Sequence, residues 1–595
     1  MKKAIIPVVC FLLLALLPTA CGTELKAPDL PDEITGPVVP VGTVYVDRTP
    51  EGASTLYAQF RAEGDQRIQV THAPDGQDAA AAAVTAVYNA DGEKLAENRD
   101  GEAFTVPCTA GQTYTVAVTT EAEGLLRVAL LNEKAQKDYL PFPTALEGTP
   151  LPELPDVDPN TDPLQPARIE YIKNPDGHFI FGNNPEQIRF EDINIANLRN
   201  ENMFGRYYFT FSHSVQSLRG LHDLYIGYRL VNNGDENLVV TVYNIGYQHE
   251  GEWLGARSWA DFYNLEFMLP PDYFDEFGAE TDTYLGQHFL QYTPRVWEPE
   301  TYSIPPGEYM WILGGTTADN HRQINVAGTA DIAFRWGCQN AAVLFDITQG
   351  SDITGSFYYY TDAALLDESQ PEQGYIVWRD DIDYSKQYKG TDPTMGLIEA
   401  DIAWTVNDNT PQGRLPVIYE TQYDRRAARQ RTPYNLYENT ETYVIEGRSW
   451  TTSLNPQDGN HRSLGTDMSI FHGVDTEGNP ILIDTLRADG DGNPANLGNW
   501  MIVYHSNYTF ANAGDTERSF TIFQRGGTFF TAIRDRDGNV LQADMRVAPA
   551  VGQSADERFE IYTVTVAPRT VEQITVDWLI LANSYGGMTH SVELT

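Results

Sequence analysis

Two segments of this chain repeat one another. Leu230–Asn244 reads LVNNGDENLVVTVYN and Phe510–Gln524 reads FANAGDTERSFTIFQ. Asn232, Gly234 and Asp235 meet Asn512, Gly514 and Asp515 at a constant offset of 280 positions (232 to 512). Thr241, Val242, Tyr243 and Gly246 meet Thr521, Ile522, Phe523 and Gly526 in the same register. In both, alternating aromatic and aliphatic residues run into Asn-x-Gly-Asp and out into a second apolar run. Period-two alternation places successive side chains on opposite faces of a strand. Asn and Gly tolerate left-handed backbone, and Asp bonds its own turn amides. The pattern predicts strand, turn, strand, made twice.

Downstream, YSIPPGEYMWILGG and YTVTVAPRTVEQITVDWLIL both run strand, Pro-containing turn, strand with Trp. Upstream, FSHSV and IFHGV each place a histidine two before a valine, at His213 and His472. Three matches in one order predict duplication of one sandwich. A histidine held in both copies points to a structural role at a strand end. The pairing of strands across Asn-x-Gly-Asp is similar to that of immunoglobulin-like sandwiches. Apart from the first residues, no segment sustains helical periodicity. The expected fold class is all-β and multidomain, built from immunoglobulin-like or jelly-roll-type sandwiches, the last two a duplication.

A chain of 595 residues exceeds one hydrophobic core. The composition divides it into 1–21, an export signal; 22–42, a flexible tether; 43–137, a first sandwich; 138–166, a Pro-rich linker; 167–406, a second sandwich; and 407–595, a third. The linker, YLPFPTALEGTPLPELPDVDPNTDPLQPA from Tyr139, recurs in Pro every few residues, so it is stiff and extended and predicts a first domain held away from the rest. The second sandwich carries an aromatic insert at 248–291, rich in acid and in rings.

The start, MKKAIIPVVCFLLLALLPTACG, has basic residues, a short apolar run and small residues before Cys21. LPTAC resembles the lipobox of bacterial lipoproteins, although Leu17 stands four rather than three before the cysteine. The resemblance implies lipid on Cys21 and an exported protein anchored to the cell membrane, facing outward. Within 43–137, YAQFRAEGDQRIQV, VYNADGEKLAEN, CTAGQTYTVAV and GLLRVALL resemble pre-peptidase C-terminal-type sandwiches, with Ala110, Gly111 and Tyr114 leading into a late strand. That resemblance implies an accessory module and brings no catalytic residue.

Acidic residues number 83 against 40 basic, a formal net charge of −43. A surface so acidic repels phosphate backbones, which argues against nucleic acid, and it leaves the lipid as the only membrane contact. Four cysteines are too few for a disulfide framework, and Cys108 and Cys338 fall in different expected domains. No zinc, nucleophile-elbow or phosphate-loop motif occurs. Asp489 and Asp491 resemble the start of a calcium loop, but lack a bidentate Glu at its end and flanking helices. Asp535 and Asp537 fit a plain hairpin better. SFYYYTD, whose rings begin at Phe357 and which ends at Asp362, predicts core plus cross-strand packing rather than a ligand platform. Gln422–Arg431 is the one basic cluster, expected as a solvated loop.

Long loops on a sandwich commonly carry function. Trp253, Trp259 and Tyr263 in the insert are the candidate ligand-binding residues, since rings stack on sugars and interleaved acids take hydroxyls. The expected function is binding or adhesion at the cell surface, to extracellular polysaccharide or a surface protein. The expectation leans away from catalysis, and no catalytic residue is assigned. Two other readings stand beside it: a glycan-active or peptidase enzyme with an accessory sandwich, and a structural surface spacer.

Overall fold

The structure is a computed structural model. With short gaps, it describes residues 36–131, 166–248, 299–366, 396–419, 440–482, 502–546 and 558–595, together with a few residues between 25 and 34. Among these there is no α-helix, only 3-10 turns at Val326–Gly328 and Ala363–Leu365. No helix there is long and apolar enough to cross a membrane.

The N-terminal module begins with β1 (Val44–Thr49), β2 (Ser54–Arg61), β3 (Gln66–Pro74) and β4 (Val84–Tyr88). It continues with β5 (Lys94–Asn98), β6 (Phe104–Val106), β7 (Thr113–Thr120) and β8 (Gly124–Leu131). Next come β9 (Pro166–Lys173), β10 (His178–Gly182), β11 (Ala196–Asn200), β12 (Gly205–Ser214), β13 (Tyr225–Asn232) and β14 (Leu238–Gln248). After the 249–298 stretch follow β15 (Glu300–Ile304), β16 (Tyr309–Gly314), β17 (Cys338–Gln349), β18 (Ile353–Tyr360) and β19 (Gly396–Val406). Short strands come next: β20 (Gly413–Leu415), β21 (Ile418–Tyr419), β22 (Thr440–Ile445), β23 (Arg448–Leu454), β24 (Arg462–Gly465), β25 (Phe471–Val474) and β26 (Pro480–Leu482). The last are β27 (Ile502–Asn512), β28 (Arg518–Arg525), β29 (Phe529–Arg534), β30 (Val540–Arg546), β31 (Arg558–Val566), β32 (Thr570–Ile580) and β33 (Thr589–Leu594).

These strands form three sandwiches, as an all-β multidomain chain requires. The first packs β2-β7-β4-β5 on β1-β8-β3-β6 through Phe60, Ile68, Val116 and Leu126. The second packs β11-β18-β13-β16 on β10-β12-β17-β14-β15 through Phe209, Tyr228, Phe345 and Phe357. In the third, Trp404, Tyr508 and Phe510 from β21-β9-β19-β27-β32-β29-β30 meet Phe520 of the sheet that holds β33-β28-β31.

The repeated turn has a specific job. Asn-x-Gly-Asp does not close a hairpin; it carries the chain from one sheet to the other, from β13 to β14 and from β27 to β28. Asn232 and Asn512 are both fully buried. Asn232 Nδ2 donates to the carbonyls of Glu236 and Ile304, both at 2.8 Å, and its Oδ1 accepts from Gly234 N at 3.1 Å. Asn512 Nδ2 donates to Thr516 O at 2.8 Å and Val566 O at 3.1 Å, and its Oδ1 accepts from Gly514 N at 3.0 Å. One side chain thus ties its own arch to the next, at Ile304 and at Val566. Glycine is needed two residues on: a Cβ on Gly234 would lie 2.3 Å from Ser351 O, and one on Gly514 2.6 Å from Asp408 Oδ1.

The ladders confirm the duplication. Leu238 pairs with Ile304, and Arg518 with Val566; Val231 pairs with Tyr309, and Ala511 with Val571. The Pro-containing turns at 305–308 and 567–569 each join two strands, as their sequences predict, and the structure shows that they return the chain to the first sheet. The histidine match does not extend the repeat. His213 stands on β12 in the β10-β12-β17-β14-β15 sheet, whereas His472 stands on β25, whose partner among the described residues is β26. A short local match around one histidine fixes neither a sheet nor a register.

Two further differences concern pairing partners. β9 and β19, from either end of the expected second sandwich, are neighbours in the third one's sheet. The N-terminal module is not held away: β1 pairs in parallel with β15. Strand propensity is local, but the choice of partner is tertiary, and a Pro-rich composition sets stiffness rather than destination.

Candidate functional site

Cys21, Trp253, Trp259, Tyr263, Asp489 and Asp491 lie outside the described residues, as does the basic Gln422–Arg431 segment. Among the described residues, no group of three or more His, Cys, Asp or Glu is arranged to hold a metal ion. Asp535 closes the β29–β30 hairpin, its carboxylate accepting from Asn539 N and Nδ2, both at 2.8 Å. The plain-hairpin reading of that segment therefore holds. Cys108 is a free thiol, its pKa pushed up by burial.

The richest chemistry lies on the sheet faces turned away from the cores. In β11-β18-β13-β16 the strand alternation sends Ile226, Tyr228 and Leu230 inward and leaves Tyr225, Gly227 and Arg229 on the other face. SFYYYTD divides likewise: Phe357 and Tyr359 join the core, while Tyr358 and Tyr360 join a second cluster with Trp311. This is the predicted core-plus-cross-strand packing. Trp311 stacks on Tyr360 at 5.2 Å between centroids and meets Tyr358 edge-on at 6.0 Å. The indole has room because its neighbour is glycine: a Cβ on Gly227 would lie 2.7 Å from Trp311 Cε3.

Arg229 lies among these rings, its guanidinium carbon 4.6 Å from the Tyr309 centroid, 5.1 Å from Tyr358 and 5.5 Å from Trp311. It is 5% exposed, so the ring quadrupoles act on it with little competition from water. Tyr225 and Tyr309 border the cluster and are half-buried, whereas Trp311, Tyr358 and Tyr360 are closed off. Burial raises the phenol pKa at Tyr225, and Asp223, Asp331 and Asp319 add to the rise. Burial also raises that of Tyr309, opposed by the Arg229 charge. Asp319 accepts from Tyr360 OH at 2.9 Å and from Thr316 Oγ1. The result is a rigid aromatic face with two partly exposed tyrosines and carboxylates at the Tyr225 end. Sequence reasoning named SFYYYTD but not Arg229, because one arginine in a strand looks the same whether water or rings surround it.

The matching face of the third sandwich is polar. His505 Nδ1 and Asp577 Oδ1 are 2.6 Å apart, and Arg534 Nη2 lies 2.5 Å from Asp577 Oδ2. Thr575 Oγ1 donates to Asn507 Oδ1 at 3.1 Å, and Gln573 Nε2 to Thr509 Oγ1 at 3.1 Å. His505 is 2% exposed and Asp577 fully buried. The carboxylate fixes the imidazole tautomer and balances the guanidinium, which makes the cluster an internal brace. Between the sheets, His590 receives the Tyr508 hydroxyl on Nδ1 and donates from Nε2 to Gln524 Oε1, each at 3.2 Å. Burial pushes the His590 pKa down to about 3.

No family model matches this chain, and no curated protein matches it. Among solved structures it is similar to the insecticidal crystal protein Cry2Aa, with 6% identity and a TM-score of 0.16, covering 51% of this chain and 38% of that one. It is also similar to the tandem CBM22-1–CBM22-2 domains of Paenibacillus barcinonensis Xyn10C, with 10% identity and a TM-score of 0.10, covering 53% of this chain and 91% of that one. A glycoside hydrolase family 32 structure from Bifidobacterium adolescentis has 10% identity and a TM-score of 0.12, with 92% and 99% covered. Likenesses this slight carry no argument. The fold by itself defines a multidomain β-sandwich protein.

Proposed function

We propose that this is an exported bacterial surface protein, lipid-anchored through Cys21, that binds its ligand rather than turning it over, with carbohydrate as the ligand class. The observation behind the ligand class is the aromatic face around Arg229. Half-buried Tyr225 and Tyr309 offer ring surface for the apolar faces of pyranoses, on a bed of buried rings that fixes their orientation. Burial raises the Tyr225 pKa, and the charges of Asp223, Asp331 and Asp319 add to the rise, so the ring stands in an acidic field that suits sugar hydroxyls. Pre-formed, rigid rings cost little ordering entropy on binding. The insert residues Trp253, Trp259 and Tyr263 belong to the same proposal as a second aromatic contact.

The test is a polysaccharide pull-down and glycan array on the full chain, run in calcium and in chelator. Retention is expected for the wild type, with a loss of roughly tenfold or more in Tyr309→Ala and Tyr225→Ala. A blank in both conditions removes carbohydrate and leaves a surface-protein partner. Metabolic labelling with a radioactive fatty acid tests the anchor: Cys21→Ser is expected to lose the label and the membrane fraction.

A further inference from the structure

We infer that β1 is a strand lent by the N-terminal module to the second sandwich, so that the two fold and open as one body. β1 lies between β8, antiparallel over six register pairs, and β15, parallel over three, from Val44–Glu300 to Val46–Tyr302. Its alternation serves two cores at once. Tyr45 packs into the module with Phe60 and Leu126, while Val44 and Val46 belong to the core that contains Tyr228, Val240 and Phe345. Leu125 and Ala129 of β8 pack against that second core too. A strand whose two faces belong to two cores cannot leave one without opening the other.

The seam is also closed by charge. Arg127 of the module pairs with Glu300 of β15, and Arg322 of the second sandwich pairs with Asp47 of β1. The Glu300 and Asp47 side chains are 6% and 7% exposed, so separation would strand carboxylates that are now paired away from water. Tyr45 OH donates to Asp47 Oδ2 at 2.5 Å, which ties the charge pair to the module core. A threonine ladder crosses the same line, Thr43 to Thr301 at 3.1 Å and Thr301 to Thr241 at 2.8 Å, all three buried. Without β1, β15 would present an open strand edge, a template for pairing with other chains. The N-terminal strand is therefore the resident partner of that edge. Where the anchoring proposed above holds, the tether leads directly into this joint body, and the orientation of the second sandwich is set at the seam.

Hydrogen exchange of the full chain through a urea series tests this without any ligand, so it is independent of the carbohydrate result. Amides of β7 and of β13 are expected to lose protection in one transition. Val46→Ala and Arg322→Met are each expected to lower protection in both segments together, by roughly tenfold for the valine. If β7 opens at lower urea while β13 stays protected, or if either variant weakens only the module, the inference is overturned.

Discussion

In the second sandwich the sheet face turned from the core is filled by rings around Arg229. At the same register in the third stand Thr509 and Gln573 where the second has Arg229 and Trp311, and His505 where it has Tyr225. The inward faces stayed alike: Tyr228 and Leu230 answer to Tyr508 and Phe510, all four buried. The arches stayed alike down to individual bonds of Asn232 and Asn512. The two copies diverged where packing between sheets does not dictate the residue. One copy buries its outer face by stacking, the other by pairing charges and hydrogen bonds. Function is therefore sought on the outer faces, and the aromatic one retains half-buried rings that a ligand can reach.

The largest test of this contrast is Asp577→Ala. It leaves Arg534 and His505 buried without their carboxylate and is expected to cost about 3–5 kcal/mol, read from the urea midpoint of the third sandwich. A cost under about 1 kcal/mol would mean that water reaches this face, and the contrast would fail. Next come the arches. Asn232→Ala and Asn512→Ala each strand buried carbonyls and are expected to cost about 2–3 kcal/mol, read from the urea midpoints of the second and the third sandwich respectively. Unequal costs would break the equivalence of the two turns.

Acid separates the copies further. The Tyr228 hydroxyl donates to Asn200 Oδ1 at 3.2 Å, a partner that does not titrate, whereas Tyr508 bonds His590. The folded pKa of His590, about 3, lies below its ordinary value of 6.5. The unfolded chain therefore takes the proton first. This contribution to stability is intact above pH 6.5 and is lost as pH falls toward 3, at about 1.4 kcal/mol per pH unit. His590→Leu is expected to flatten that slope in urea melts between pH 6.5 and 5, and an unchanged slope would refute the assignment. The smallest effect belongs to Arg229→Met, about 1–2 kcal/mol from lost cation–π contact, with a change in the near-ultraviolet circular dichroism of Trp311. Lysine there is expected to recover only part of it, because it lacks the planar guanidinium that stacks on rings.

Much of the architecture was legible. Period-two runs marked the strands, Asn-x-Gly-Asp marked the arches, and the 280-residue offset marked the copy. The insert position is informative in retrospect, because between the corresponding strands β28 and β31 the third sandwich has the hairpin β29–β30. The sites were far less legible. Arg229, His505 and Asp577 sit at alternate strand positions where polar residues normally face water, and nothing local marks them as buried.

By itself, then, the sequence determined the all-β class, the duplication, the turn chemistry and an acidic surface, because alternation, left-handed turns and charge are properties of neighbouring residues. Only the tertiary structure decided that β1 completes the second sandwich, that β9 and β19 serve the third, and that Arg229, His505 and Asp577 are buried on the outer faces. Those depend on which strand lies beside which, and hydrogen-bonded edges are chemically alike until side-chain packing selects between them.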